Sequence, residues 1–186
     1  SAFLLNRSSD LAIIQLSFQK NQELLINAWK IVHDQEPEWQ MEIWANGELK
    51  DDLTKQIYSL ELDDVVSLKG VTDHIEKVYS YASFFVLSSR HEGQGIVLIE
   101  ALLSGIPCVS TVVNGVRDTI INDYNGYIVE QATPKALANG ILKMIHSDRM
   151  DEMSRNAKES AKAFEKEHVM QMWINLFNEL IHENRH

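Results

Sequence analysis

Short runs of apolar residues alternate with helix-like patterns along most of this chain. The runs, each four to six residues long, are typical of strands that are buried on both faces. They occupy residues 11–16, 41–45, 65–68, 84–87, 108–112 and 126–129. Because most runs are followed by a stretch of helical periodicity, the pattern predicts a parallel sheet with helices on both faces.

The segments between the runs place apolar residues three and four positions apart, as one face of a helix does. Asp73 and Glu76 have the spacing of a capping box, and Thr133 precedes Pro134 as an N-cap precedes proline at the first helical position. The prediction is an α/β fold, a Rossmann-like parallel sheet of about six strands. The predicted helices in this part of the chain cover residues 22–32, 49–60, 73–82, 96–103 and 133–145.

The pattern changes after about residue 147, where two helices follow with no further strand. We therefore expect a Rossmann-like domain over residues 1–163 and a C-terminal helix over 164–186. That helix carries an apolar stripe, which either packs on this domain or faces a partner domain that the chain lacks. Because the chain opens with Ser1 rather than Met, we expect a piece of a longer protein. The stripe consists of Val169, Met172, Trp173, Leu176, Phe177, Leu180 and Ile181.

Composition and charge narrow the functional classes. The chain has 17 basic and 27 acidic residues and thus a net charge of −10. This charge argues against a general nucleic-acid binder, because an acidic protein surface repels nucleic-acid phosphates. Its one cysteine, Cys108, lies in an apolar run, so we expect a buried thiol and a reducing, cytoplasmic setting. No apolar stretch reaches the roughly 18 residues of a membrane span. A peripheral attachment at the inner membrane face would therefore come from the rest of the protein.

The candidate chemistry lies directly after the fourth strand, in residues 88–107. Gly93 and Gly95 flank the start of the next helix, where small residues let the backbone approach a ligand and the helix amides point outward. A phosphate group fits there without a side-chain cation. The alternative is an ordinary glycine-rich turn between strand and helix.

Two glutamates accompany these glycines. Glu100 is surrounded in sequence by aliphatic residues, which predicts a largely buried helix and a carboxylate that needs a partner. It either pairs with a hidden cation or backbone amides, or projects into a pocket and accepts hydrogen bonds from ligand hydroxyls. Glu92 lies at the carboxyl end of the strand, with a plain surface position as its alternative. Together the two carboxylates could hold two polyol portions of one elongated ligand.

This segment resembles the Glu-x7-Glu signature of retaining GT-B glycosyltransferases of the family-four type. It reads Glu92-Gly93-Gln94-Gly95, then Glu100-Ala101, then Gly105-Ile106-Pro107. The likeness covers roughly residues 11–147 and includes Lys20, at the place of a phosphate-binding lysine. It implies that this chain is the C-terminal, donor-binding half of a GT-B fold, with the acceptor held by an N-terminal domain elsewhere in the protein.

The resemblance also implies a role for each candidate residue. Glu92 and Lys20 would be catalytic, Glu92 at the hydroxyls of the donor sugar and Lys20 at the phosphates, although Lys20 could also be an exposed helix-entry lysine. Glu100 would bind the nucleotide ribose. The other donor-binding positions are the turn and helix start (Gly93, Gln94, Gly95, Ile96 and Val97), the loop against the base (Gly70, Val71 and Thr72) and Gln15.

Gln15 departs from the family, which carries arginine at this position. A neutral amide cannot supply the bidentate, charge-assisted grip of a guanidinium, and Arg90 in the neighbouring connection is a candidate to compensate. Gln94, Ala45 and Asn114 also stand where the family carries other residues. These departures bear on catalytic rate and donor preference more than on the fold.

The implied reaction is the transfer of a hexose-like group from a uridine or guanosine diphosphate sugar to a sugar or lipid-linked acceptor, with retained anomeric configuration. It requires no metal and no other cofactor, and the fragment alone is expected to be inactive. The alternative, motivated by Gln15, is a non-catalytic module that binds the nucleotide sugar or stabilises a partner. A GT-B epimerase or phosphorylase ranks last, because the sequence shows neither the acid–base set nor a pyridoxal-binding lysine. His182–His186 matches His-Glu-x-x-His in form, but it ends the chain and predicts no zinc site.

Overall fold

The computed structural model describes residues 10–11, 21–44, 47–90 and 95–183. Strands and helices alternate through this part of the chain. The strands are β1 (Asp10–Leu11), β2 (Met41–Ile43), β3 (Val66–Leu68), β4 (Phe85–Leu87), β5 (Cys108–Thr111) and β6 (Gly126–Val129). The helices are α1 (Gln22–His33), α2 (Lys50–Ser59), α3 (Ile75–Tyr79), α4 (Ile96–Leu103), α5 (Val116–Thr119), α6 (Pro134–Ile145), α7 (Met150–Ala161) and α8 (Lys166–Glu183), with a 3-10 helix at Lys162–Phe164.

The six strands form one sheet in the order β3-β2-β1-β4-β5-β6, and every neighbouring pair is parallel. The chain moves outward from β1 to β3, crosses back to β4, and then moves outward in the opposite direction to β6. Right-handed crossovers therefore place α1 and α2 on one face of the sheet and α4 on the other. The predicted Rossmann-like sheet with helices on both faces is confirmed.

The central strands are buried on both faces. Every residue of β4 and β5 is buried, as the apolar runs of a covered parallel sheet require. The helix α1 packs against α6, and α4 packs against α7. Cys108 is a fully buried free thiol in β5, and burial raises the pKa of this thiol well above its usual range. Because a reactive cysteine needs an accessible thiolate, Cys108 acts as a small apolar residue of the core.

Two helix starts agree with the sequence pattern. Thr133 caps α6, because its side-chain oxygen accepts a hydrogen bond from the Ala136 amide at 3.2 Å, and Pro134 occupies the first helical position. The helix α4 begins at Ile96 and ends at Leu103, as its apolar run predicts. The short helix α5 was not predicted, because four residues are too few to show a helical period.

The capping box expected at Asp73 and Glu76 is wrong. The helix α3 begins only at Ile75, and no side chain of the residue before it caps the helix. Thr72 Oγ1 instead accepts a hydrogen bond from the His74 amide at 3.0 Å. The Glu76 carboxylate lies 3.2 Å from the His74 ring rather than reaching back to a backbone amide. The turn made by Thr72 and the contact between these side chains replace the reciprocal cap.

The C-terminal helix α8 stands apart from the sheet. Each α8 side chain that the structure describes is exposed. The exposed fraction reaches 59% at Met172 and 56% at Trp173. Trp173 contacts Phe177 along the helix, with ring centroids 5.8 Å apart. Among the described residues, the apolar stripe of α8 therefore does not pack on the sheet domain.

Candidate functional site

The carboxyl ends of β1 and β4 mark the place where a ligand would bind. Strand order reverses between these two strands, and open α/β sheets bind ligands in the crevice outside such a reversal. The chain leaves β1 toward Asn21 at the start of α1, and it leaves β4 toward Arg90. Five predicted site residues belong to these two connections but lie outside the described residues: Gln15, Lys20, Glu92, Gly93 and Gln94. Their roles stay predictions.

The start of α4 has the features of an anion site. Gly95, its N-cap, has φ 57° and ψ 37°, a left-handed conformation that glycine adopts without strain. The first helical hydrogen bond runs from the Leu98 amide to the Gly95 carbonyl at 2.8 Å, so the amides of Ile96 and Val97 have no partner within the helix. No side chain in the described part of the chain caps them. Phosphate oxygens are suitable acceptors for these amides.

Glu100 lies on the exposed side of α4, which corrects the expectation of a buried carboxylate. The helix buries Leu98, Ala101 and Leu102, whereas Ile96, one turn before Glu100, is 60% exposed. Although the helix is apolar nearly all round, only one of its faces meets the core. The Glu100 carboxylate makes no hydrogen bond or ion pair with any described residue, so the described part of the chain supplies no hidden cation for it. It is open to a ligand.

The charge of Glu100 acts on α3, the helix that follows the predicted base-binding loop. Burial first, and then the negative charge of Glu100, raise the pKa of Tyr79 in α3 well above its usual range. The loop before α3 contains Gly70, with φ 88°, and Val71, whose side chain is 70% exposed. The charge of the predicted ribose-binding carboxylate, Glu100, thus reaches the helix that follows this loop. The exposed Val71 side chain could therefore pack against the planar ring of a nucleotide base.

Hydrogen bonds of Asn21, Ser88 and Thr111, which were not predicted, and of Arg90, which was named only as a candidate to compensate for Gln15, hold the connections after β1 and β4 together. The buried Ser88 donates a hydrogen bond from Oγ to the Asn21 carbonyl at 3.2 Å, and Arg90 Nη2 donates to the Asn21 carboxamide oxygen at 3.1 Å. Thr111, at the end of β5, donates to the Ser89 carbonyl at 3.1 Å. The exit of β4 is therefore fixed on both sides. The available signal was the change from apolar to hydroxyl side chains at the end of the fourth strand.

Arg90 stands between two cavities at this end of the sheet. One, of about 340 Å³, lies at the starts of α1 and α2 and is lined in part by Asn21. The other, of about 350 Å³, lies against residues 112–118 after β5. A third cavity, of about 500 Å³, lies at β6 and α6 on the edge of the sheet. Glu100 lines none of these three cavities.

Comparisons with known proteins agree with this architecture. The family model described as "Glycosyl transferases group 1" matches residues 11–164. The chain is 31% identical over 162 residues to the poly(ribitol-phosphate) alpha-N-acetylglucosaminyltransferase of Staphylococcus aureus (strain COL), which covers 86% of this chain and 33% of that protein. It is 27% identical over 171 residues to the poly(glycerol-phosphate) alpha-glucosyltransferase of Bacillus subtilis (strain 168). That match covers 91% of this chain and 25% of the Bacillus subtilis protein.

Solved structures show the same likeness. The crystal structure of a mutant of TarM from S. aureus, in complex with fondaparinux, alpha-GlcNAc-glycerol and UDP, matches with a TM-score of 0.85 at 29% identity. The match covers 92% of this chain and 36% of that chain. The present chain thus spans between a quarter and about a third of the two curated relatives that it resembles.

Proposed function

The chain belongs to the glycosyl transferases group 1 family, and from this premise we propose that it holds the nucleoside diphosphate sugar from which the full-length protein transfers a glycosyl group. The observation that carries the proposal is the exposed carboxylate of Glu100, which pairs with no described residue and lies one turn after the open amides that begin α4. A carboxylate accepts hydrogen bonds from two adjacent hydroxyls, and helix-start amides donate to phosphate oxygens. One ligand with both groups is a nucleotide.

The proposed donor extends along α4 and across the end of the sheet. Its base lies against Gly70, Val71 and Thr72, its ribose hydroxyls donate to Glu100, and its distal phosphate accepts from the amides of Ile96 and Val97. Four residues of α-helix rise roughly 6 Å, a separation that a ribose and its attached diphosphate can bridge. Uridine is the proposed base, because the TarM structure at 29% identity contains UDP.

The proposed reaction breaks the bond between the anomeric carbon and the diphosphate oxygen. The electron pair of that bond goes to the distal phosphate, the acceptor hydroxyl oxygen forms the new glycosidic bond, and the proton of that hydroxyl passes to an oxygen of the departing diphosphate. The α4 amides and Lys20 would stabilise the charge on the leaving phosphate, and Glu92 would orient the sugar. We propose this step with retention and without a metal. The names of two relatives, which specify alpha-linked transfer, support retention from an alpha-linked donor.

We propose that the acceptor is held by a part of the protein outside this chain and that α8 docks on that part. The support is the exposure of every described α8 side chain, together with the small share of its relatives that the chain covers. The acceptor would be a sugar or a lipid-linked chain. Polyol phosphate polymers are the first acceptors to try, because two relatives are named for acting on them.

We propose that the reaction takes place in the cytoplasm. The buried free thiol of Cys108 fits a reducing compartment. Within the part of the chain that the structure describes, no helix has the length and apolarity needed to cross a bilayer. Attachment of the full-length protein to the inner membrane face would rest on segments outside this chain.

Calorimetric titration of the 186-residue chain with UDP tests the proposal. The chain should bind UDP, and Glu100→Gln should weaken binding about tenfold, because a neutral amide replaces a charge-assisted acceptor. The matched control is Glu38→Gln, an exposed glutamate before β2 at the opposite end of the sheet, which should leave the affinity unchanged. A folded chain that binds neither UDP nor GDP at millimolar concentration would overturn the proposal.

An assay of turnover on the full-length protein decides between an enzyme and a non-catalytic binding module. Full-length protein should release UDP from a UDP-sugar when an acceptor is present. If it binds the donor tightly but neither transfers nor hydrolyses the sugar with any acceptor, the non-catalytic reading suggested by Gln15 replaces the enzymatic one.

A further inference from the structure

One carboxylate joins both ends of the segment that contains the predicted base-binding loop. Glu42 Oε1, in β2, lies 3.2 Å from the Nζ atom of Lys69, the residue directly before Gly70. Glu42 Oε2 accepts a hydrogen bond from Tyr81 Oη at 2.8 Å, and Tyr81 lies just beyond the end of α3. The same side chain thus ties the residue before the loop and a residue after the helix that follows it.

The loop between these two ties is held mainly at its ends. The last described hydrogen bond between the backbones of β2 and β3 runs from the Lys69 amide to the Ile43 carbonyl at 2.9 Å. Beyond it, the amides and carbonyls of residues 70–72 make no backbone hydrogen bond with any described residue. Thr72 contributes its side-chain oxygen, which accepts from the His74 amide. The place of the loop therefore depends on what holds the residues that flank it.

Glu42 is well placed to hold them. Its backbone is paired in register with Leu11 of β1 and Ser67 of β3. Its side chain is only 17% exposed, and Oε2 accepts a further hydrogen bond from Trp44 Nε1 at 2.9 Å. The two side chains that it ties are both exposed. The paired strand thus supplies a fixed point to which two surface side chains attach the loop and α3.

We infer that Glu42 is a positioning residue for the nucleotide base: through Lys69 and Tyr81 it sets where residues 70–72 lie, and thereby which base the chain prefers. The inference rests on the proposed function, which places the base against that loop. Hydrogen bonds between a base and backbone groups require donors and acceptors at defined distances and angles. A loop that can shift loses this discrimination, whereas the diphosphate keeps its separate contacts at the start of α4.

The first test releases the tie before the loop and measures binding of UDP and GDP to the 186-residue chain by calorimetry. These nucleotides differ only in the base, so the ratio of their dissociation constants reports contacts at the base. Lys69→Met should reduce the preference for UDP about threefold or more, because the loop must then be ordered on binding. Lys69→Arg keeps a cation for Glu42 and should keep the preference. Lys30→Met is the matched control, since Lys30 is similarly exposed and lies 2.7 Å from Asp34 at the far end of α1.

The second test releases the tie after α3. Tyr81→Phe removes a single hydroxyl and should also reduce the preference for UDP, whereas Tyr58→Phe, at a position 62% exposed in α2, should leave it unchanged. In a double-mutant cycle, Tyr81→Phe added to Glu42→Met should cause little further loss, because the acceptor of the hydroxyl is already gone. Should Glu42→Met fail to fold, the variants of Lys69 and Tyr81 still decide the inference.

The outcomes separate this inference from the proposal beneath it. If the unaltered chain binds neither UDP nor GDP, the proposed function fails first. If it binds the two equally, or if Lys69→Met keeps the full preference, the role of Glu42 is overturned while the proposed function stands. If Lys69→Met weakens both nucleotides by the same factor, Lys69 contacts the phosphates itself, which also overturns the inference. Additive losses from Tyr81→Phe and Glu42→Met would show that Tyr81 does not act through Glu42.

Discussion

At the scale of single residues, Glu42 shows how this domain accommodates a half-buried charge beside its sheet. Glu42 Oε2 accepts hydrogen bonds from Trp44 Nε1 at 2.9 Å and Tyr81 Oη at 2.8 Å, and Glu42 Oε1 lies 3.2 Å from Lys69 Nζ. Burial alone would raise the pKa of Glu42, but these three donors outweigh it and lower the pKa below its ordinary value. The ionised carboxylate therefore stabilises the folded chain.

This arrangement predicts a pH-dependent stability. Because the folded-state pKa of Glu42 is lowered, its stabilisation is present above the ordinary value of 4.5 and is lost as the pH falls through the lowered pKa. Glu42→Gln should reduce the free energy of unfolding at neutral pH, and its deficit should shrink at acid pH. Urea denaturation at a series of pH values measures both. Glu38→Gln is the control for an exposed carboxylate, and a deficit for Glu42→Gln that is independent of pH would contradict the assignment.

At the scale of elements, the edge strand β6 can pair with β5 only because its first residue is a glycine, Gly126. Gly126 pairs in register with Cys108 of β5, and a Cβ atom at Gly126 would overlap the Cys108 carbonyl oxygen. Gly126→Ala should therefore destabilise the chain by about 1–3 kcal/mol, the usual cost of forcing a backbone shift in a packed region. Thermal unfolding against Gln131→Ala, an exposed position just beyond β6, gives the comparison. Equal midpoints for the two variants would refute the overlap.

The sequence predicted the elements well because the sheet is covered on both faces. Apolar runs such as 84–87 and 108–112 are typical of buried strands when helices follow them, and the structure has strands there. The capping-box rule failed at Asp73 and Glu76, because the preceding Thr72 accepts a hydrogen bond from the His74 amide and makes the turn before α3. The exposed face of α4 was also missed, because an aliphatic run does not reveal which of its faces meets the core.

The site was less predictable than the fold. Gly95 and Glu100 lie in one contiguous motif, so sequence reasoning could find them without knowing the topology. The contacts of Asn21 with Ser88 and Arg90 span 67 and 69 residues and have no periodicity. They follow only from the strand order, which brings β1 beside β4. A single sequence does not contain that information in any local pattern.

At the scale of the molecule, the sheet domain should fold without α8. Since each described α8 side chain is exposed, removing residues 166–186 should shift the thermal midpoint of the chain by less than about 4 °C, the change that 1 kcal/mol produces in a small domain. Circular dichroism on both lengths makes the measurement. In the full-length protein the same helix should become protected from hydrogen exchange, and a truncation that unfolds the chain would show that α8 supports the domain.

The hydrogen bonds to Asn21 have a consequence for protein synthesis. A ribosome that has produced residues 1–87 has made four strands but neither Ser88 nor Arg90, the two side chains after β4 that donate hydrogen bonds to Asn21. The nascent chain can therefore bury much of its apolar surface before Ser88 and Arg90 form their hydrogen bonds with Asn21. We expect nucleotide to bind late in translation, only after the fourth strand, its exit and α4 have left the ribosomal tunnel.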